Sequence, residues 1–400
     1  MARIVIGWEL GSSPDLLYDV RDIGRVLAAR GHQITYIVGD PVMLASLFQP
    51  EEKPEILPAP LPSARSEAVA KSAREGGFID KLAVQGFAIA DSLTTLAEVW
   101  RRLVMREKAD LVLAVGAPVL TLTVKGWRPV FVLGSVDSTP PPEMARFPRV
   151  VAHIAPALSD ERLLANATVA SKAIGGREPT RPTDLISGDA TLIYGLPQLD
   201  PYLPLRSSRS APLRPPLAVA TPAGSPALVA ALDVNYPFID TVIIALTDMA
   251  RAPVHLYLRG ATRPMRTYLS QTAGITLHDR LEGALAHAGE ASYVLHHCTP
   301  LAAETALACG RAQVILPYIH EQGVVASYLE RSLCAHVLME SMPAPDLADY
   351  LIRQFRDLNL TQQAQLIARD LAAVKFPDTM AAIVSVSEKL AAGETSSVNA

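Results

Sequence analysis

The residues best placed to do chemistry lie in the stretch ASYVLHHCTPLAAETALACGRAQVILPYIHEQ, Ala291 to Gln322. Ser292 to His296 is short, apolar and rich in strand formers, and a histidine doublet, His296-His297, closes it. Thr299 follows as a helix N-cap with Pro300 in the first helical position, where a missing N–H costs nothing. Gly310 reads as the residue that ends this helix, Ala312 to Pro317 as the next buried strand, and Glu321 with Gln322 as the loop beyond it. Both polar pairs therefore fall on the carboxyl edge of a parallel sheet, where open α/β sheets bind ligands. The helix aims free backbone N–H groups and the positive end of its dipole at the same edge. An anion is the natural guest.

The elements that must hold these residues are set by the whole chain. At 400 residues it is too long for one ordinary core, so two domains are expected. Half of the residues are hydrophobic, and a net charge of −4 offers no basic surface to nucleic acid or anionic lipid. Three cysteines, Cys298, Cys309 and Cys334, lack metal-like spacing and suit a reducing compartment. The opening MARIVIGWEL is too short an apolar run for a signal peptide, and Gly and Pro interrupt the longer apolar segments. A cytoplasmic chain without a transmembrane segment is the expectation.

Arg3 to Trp8 reads as a buried strand, Asp19 to Arg30 as an amphipathic helix and Gln33 to Val38 as a second strand. Phe78 to Lys108 reads as one long helix with Trp100 in the core. Ala109 to Val115 and Val130 to Gly134 are continuous apolar runs of the kind parallel sheets bury on both faces. Helix over 158–175 and strand over 190–194 follow, then a Ser-, Arg- and Pro-rich segment. Beyond it we expect strands at 217–220, 254–258 and 275–277 and helices over 237–251 and 344–373.

From His296 to Gln322 the chain resembles the donor-binding signature of GT-B glycosyltransferases, especially the bacterial macrolide and flavonoid (UDP-glycosyltransferase-like) enzymes. Their pattern runs His-His-Gly-Gly-x-Gly-Thr, a helix, Gly-x-Pro-Gln-x-x-x-Pro, then Asp or Glu followed by Gln. His296, His297, Gly310, Gln313, Pro317, Glu321 and Gln322 stand in register with it. Cys298 and Thr299 replace two glycines, Leu301 and Ala302 replace Gly-Thr, and Thr305 stands where a Glu is usual. The opening β-α-β with Arg30-Gly31-His32, and LPQLDPY at Leu196 to Tyr202, resemble the same enzymes.

The resemblance implies an α/β chain of GT-B architecture, two Rossmann-like β/α/β domains facing a cleft. Residues 1–205 would form the acceptor domain, 206–216 the linker, 217–375 the nucleotide-sugar domain and 376–392 a helix crossing back to the first domain. It implies donor contacts from His296, His297, Cys298, Thr299, Pro300, Leu301, Glu321 and Gln322, from Gly224 and Ser225 in the turn TPAGS, and from Asp279 and Arg280. Relatives carry a base histidine in the first loop; here Pro14-Asp15 aligns with it, which makes Asp15 the candidate base or else a helix cap. Trp8, Gly11, Tyr18 and Asp137 would meet the acceptor, with Asp19 and Asp22 as reserve carboxylates.

The activity so implied is transfer of a sugar from a UDP- or TDP-linked donor to a hydroxyl of a small-molecule, lipid or glycan acceptor. Direct attack would invert the anomeric centre. No Asp-x-Asp pair occurs, so neither a metal nor a cofactor is expected, and the partners are a nucleotide sugar and a hydroxylated acceptor. A homodimer is left open. Two other readings stand beside this one: a non-catalytic member of the fold that props up a partner enzyme or binds a sugar nucleotide, and a nucleotide-sugar epimerase or hydrolase.

Overall fold

Among the described residues, twelve strands in two parallel sheets carry the chain. The computed structural model describes residues 1–10, 15–62, 77–148, 156, 158–215, 219–220, 227–249, 252–340 and 342–394. It divides into two compact units, one of Met1–Arg214 with Pro377–Ala400 and one of Pro215–Phe376.

In the first unit the strands are β1 (Arg3–Trp8), β2 (Gln33–Val38), β3 (Glu55–Pro58), β4 (Leu111–Val115), β5 (Val130–Ser135) and β6 (Ala190–Tyr194). They pair in the order β3-β2-β1-β4-β5-β6, every pair parallel. Every residue of β4 and β5 is buried, which is why these strands read as unbroken apolar runs rather than alternating ones. Strand order reverses between β1 and β4, so the loops leaving their carboxyl ends diverge and open a crevice there. Helix α1 (Leu16–Ala29) follows β1, buries Leu17, Val20, Ile23 and Leu27 along one stripe, and ends before Gly31 at φ +88°.

Helix α2 (Pro41–Ser46) follows β2, with the Asp40 carboxylate capping Met43 N–H. The long helix expected over 78–108 is broken: α3 (Phe78–Leu82) passes through a π-helical turn at Ala83–Phe87 before α4 (Ala90–Arg106) begins. Gly86 makes the break, at φ +103° and with Leu96 so close that an added Cβ would lie 2.7 Å away. Apolar spacing survives such a kink, so periodicity alone could not show it. Trp100, on α4, is fully buried. Helices α5 (Pro118–Val124) and α6 (Asp160–Ala173) complete the cover.

The second unit holds β7 (Leu228–Asp233), β8 (Val254–Arg259), β9 (Ile275–His278), β10 (Tyr293–His296), β11 (Ala312–Ile315) and β12 (Ala335–Val337). Their order is β12-β11-β10-β7-β8-β9, again parallel throughout, with the reversal between β7 and β10. Between them run α7 (Ile239–Asp248), α8 (Arg263–Gln271), α9 (Leu281–Leu285), α10 (Pro300–Cys309), α11 (His320–Arg331), α12 (Ala344–Gln354) and α13 (Leu358–Ala373). The helix expected over 344–373 is thus two, because Asp357 caps Leu360 N–H and starts a new one.

Among the described residues the first strand of this sheet is Leu228–Asp233; the strand expected over 217–220 falls partly outside the described residues. LVAALD is buried at every position, and it pairs with both β8 and β10 at the centre of the sheet. Gly224 and Ser225 lie outside the described residues; the carboxyl end of the strand is Asp233. The last helix, α14 (Thr379–Ala391), belongs to the first unit, where Arg30 pairs with Glu388 and Thr379 Oγ1 donates to the Ala211 carbonyl. The segment 206–214 also belongs to the first unit. Arg206 forms a buried ion pair with Asp200, and Arg214 pairs with Asp19 and Asp22 on α1.

Candidate functional site

In the second unit, four neighbouring strand ends are tied together. His297 leaves β10 with its Nδ1–H donating to the Leu316 carbonyl at 2.7 Å and its Nε2 accepting from Asp233 N–H at 3.1 Å. The Asp233 carboxylate, at the end of β7, accepts from Tyr318 Oη–H at 2.8 Å and Asn235 N–H at 2.8 Å, and pairs with Arg259 at the end of β8. Tyr236 and Tyr318 both lie against the His297 ring, at centroid distances of 5.0 Å. Asp233 and Tyr318 thus fix Arg259 at the carboxyl edge with its side chain 29% exposed. A guanidinium held this way suits phosphate or carboxylate.

His296 adopts the opposite tautomer: Nε2–H donates to Gln313 Oε1 at 2.9 Å and Nδ1 accepts from Cys298 N–H at 3.0 Å. Burial pushes His296 down to about 3, against the pull of the Gln313 bond, and pushes His297 down to about 4, against that of the Leu316 carbonyl. Both rings are therefore neutral at pH 7. The two tautomers follow from which backbone groups each ring meets.

After the doublet the chain turns sharply at Cys298, whose φ of +61° lies in the left-handed region. Helix α10 then begins, with Thr299 as N-cap and Pro300 first. The Thr299 side chain makes no capping bond, and the first-turn N–H groups of Leu301 and Ala302 have no acceptor within the helix. Thr305 Oγ1 donates back to the Leu301 carbonyl at 2.7 Å. Gly310 ends the helix at φ +67°. At the head of α11, Gln322 Oε1 accepts from Tyr318 N–H at 3.0 Å, and Glu321 occupies the first turn beside the helix dipole. Asp279 pairs with Arg266, and Arg280 is the N-cap residue of α9.

In the first unit, the carboxyl edge gathers Trp8, Glu9, Asp15, Asp19, Asp137 and Tyr194. Glu9 was not singled out from the sequence. It is buried, with its carboxylate accepting from Val119 N–H at 2.9 Å and Leu120 N–H at 2.7 Å, and burial outweighs those bonds to push it up to about 8. Asp19 accepts from Arg214 at 2.7 Å and from Tyr194 Oη–H at 3.0 Å; burial raises its pKa while Arg214 opposes the rise. Asp22 is held by Arg214 and Arg21. These two reserve carboxylates are committed to ion pairs.

Asp15 precedes α1 with helical backbone angles, is buried, and makes no side-chain cap, so the cap reading does not hold. Asp137, after β5, has its pKa raised by burial, with Ser135 and Lys81 opposing, and its Oδ1 has no hydrogen-bond partner among the described residues. The Trp8 indole N–H is likewise buried without a partner among the described residues. Such groups each cost about 1–3 kcal/mol, a penalty that a hydroxylated ligand reaching them would relieve. Tyr18 is buried within the core, with the Arg21 guanidinium 5.3 Å from its ring centroid, and presents no surface to an acceptor. Gly11 lies outside the described residues. A cavity of about 680 Å³ opens at the other edge of this sheet, at Arg3, Gln33 and Glu55, where β1, β2 and β3 begin.

No protein-family model matches the chain, and no curated protein matches it at a significant level. Solved structures match it from end to end. Glycosyltransferase VinC in complex with DTDP is 13% identical with a TM-score of 0.60, covering 97% of this chain and 100% of its own. The calicheamicin glycosyltransferase CalG4 is 16% identical with a TM-score of 0.63 and 100% of each chain covered. The spinosyn rhamnosyltransferase SpnG, complexed with spinosyn aglycone, is 16% identical with a TM-score of 0.61, covering 97% of this chain and 100% of its own.

The fold is that of the GT-B glycosyltransferases. The fold that the resemblance over 291–322 implies is therefore borne out. The donor signature has glycine at the position of Cys298, which holds it with a left-handed backbone that costs a residue with a side chain more than it costs glycine. The donor signature suggests that the histidine doublet faces phosphate. In this structure both rings spend both nitrogens internally, so they position the turn and Asp233 instead. A half-buried cation at the edge is Arg259, which sequence reasoning missed; its only local signal is an arginine ending an alternating strand, VHLYLR.

Proposed function

We propose that the chain is a glycosyltransferase that moves a sugar from a nucleoside-diphosphate sugar to a hydroxyl of a small-molecule, lipid or glycan acceptor. The observation that carries this reading is the match, over nearly the whole chain, to enzymes of that class, one of them holding DTDP. The edge of the second unit supports it locally. The N–H groups of Leu301 and Ala302, the Thr299 hydroxyl and Arg259 are suited to a diphosphate, and Glu321 with Gln322 to sugar hydroxyls. As the donor bond breaks, charge grows on the departing diphosphate, and fixed dipoles and a guanidinium stabilise it without a metal.

On the first unit, Asp15 takes the proton of the acceptor hydroxyl, and direct attack inverts the anomeric centre. Asp137 is the alternative base, because a carboxylate whose pKa burial has raised is a better proton acceptor. One observation favours a second reading, a non-catalytic member of the fold: Cys298 places a side chain where the donor signature has glycine, and the histidines are locked inward. The test is incubation with UDP- and TDP-sugars and a panel of hydroxylated acceptors, followed by mass and anomeric analysis. Transfer with inversion is expected. A nucleotide that binds while no sugar is transferred or released would assign the auxiliary role.

A further inference from the structure

A cluster of three histidines in the second unit takes no part in the site described above. His255 lies on β8, His278 ends β9, and His287 follows α9. Strand register puts Tyr257 beside His278, and β8 alternates, with His255, Tyr257 and Arg259 on its less buried face. The His255 and His287 rings stack at 3.7 Å and 9°, and His255 Nδ1 lies 3.1 Å from His278 Nε2. That contact needs one ring to donate and the other to accept, so a lone pair is already turned into the cluster. Ligand atoms of all three lie within 4.8 Å of one another.

We propose that His255, His278 and His287 form a binding site for one divalent transition-metal ion of the zinc class. Imidazole nitrogen is the ligand that zinc, cobalt, nickel and copper share, and three such ligands with an open position describe many zinc centres. Metal–nitrogen bonds of about 2.0–2.1 Å in tetrahedral geometry bring the nitrogens to roughly 3.3 Å apart. The contraction from the spacing seen here is within the reach of side-chain rotation, since all three rings are only half-buried. Two features support the ligand set from behind. Glu290 Oε2 lies 3.5 Å from His287 Nδ1, so a carboxylate can fix this tautomer and leave Nε2 for the ion. Gly283 on α9 makes room for the His278 ring, since a Cβ there would come within 3.3 Å of Nδ1. The ion would bind β8, β9 and the segment after α9 to one another, with water completing its coordination.

The proposal is independent of sugar transfer. The full chain, stripped with a chelator and desalted, is titrated with cobalt(II) and followed by visible absorption. The expected result is d–d absorption of a low-symmetry ion saturating at one equivalent and erased by zinc. His255→Ala and His287→Gln should each weaken the affinity at least tenfold. His336→Ala, which removes a histidine paired with Asp357 outside the cluster, should leave it unchanged. Failure of the parent protein to saturate at one equivalent overturns the site whatever the variants do. So does equal loss of affinity in His336→Ala and His287→Gln.

Discussion

Asp19 shows why a carboxylate near a sheet edge is not thereby a base: Arg214 and Tyr194 already occupy both of its oxygens. Asp15 and Asp137 remain, and substitution separates them. Asp15→Asn keeps size and most hydrogen bonding but removes basicity, so turnover should fall about a hundredfold or more with nucleotide affinity unchanged. Parent-like turnover would move the role to Asp137, and Asp137→Asn should then carry the loss. The histidine doublet makes a second prediction at this scale. His296 and His297 have folded values of about 3 and about 4 against an ordinary 6.5, so the unfolded chain binds more protons between those limits. Stability should therefore be retained above pH 6.5 and fall as pH drops towards 4, by about 1.4 kcal/mol per unit for each ring. Denaturant unfolding at pH 7 and pH 5 should show a smaller loss in His297→Asn than in the parent. Equal losses would mean that the ring is not buried neutral.

Among the elements, α10 carries the clearest test of its own. Gly310 ends it in the left-handed region, and an added Cβ would lie 2.8 Å from Gln365 Nε2, which donates to the Gly310 and Ala220 carbonyls. Gly310→Ala should cost about 1–2 kcal/mol from backbone strain alone, measured by denaturant unfolding. Unchanged stability would place the helix end elsewhere. This unit was legible in the sequence because everything that defines it is local: an apolar strand, a proline at N1, a glycine at the end. What was not legible is non-local. LVAALD is one short apolar run among several, and its pairing with both β8 and β10 makes it a central strand. The Asp233–Arg259 pair joins residues on neighbouring strands, and the three histidines come from two strands and a loop. No spacing rule reaches across those intervals. The kink at Gly86 was hidden for a different reason, since apolar positions keep their period on both sides of it.

For the whole molecule, a chain in two units that matches GT-B glycosyltransferases nearly end to end makes the donor nucleotide the first thing to look for. If backbone dipoles and Arg259 meet the diphosphate charge, transfer should survive EDTA, even where chelation removes an ion from the three histidines. Complete loss, restored by magnesium or manganese, would refute a metal-free departure. No described helix is long and apolar enough to cross a membrane. The most direct measurement is calorimetric titration of the full chain with TDP and UDP in the presence of EDTA. The account predicts saturable binding at one equivalent for at least one of them, weakened when Arg259 is replaced by Met. Absence of binding by either nucleotide at millimolar concentration would contradict it.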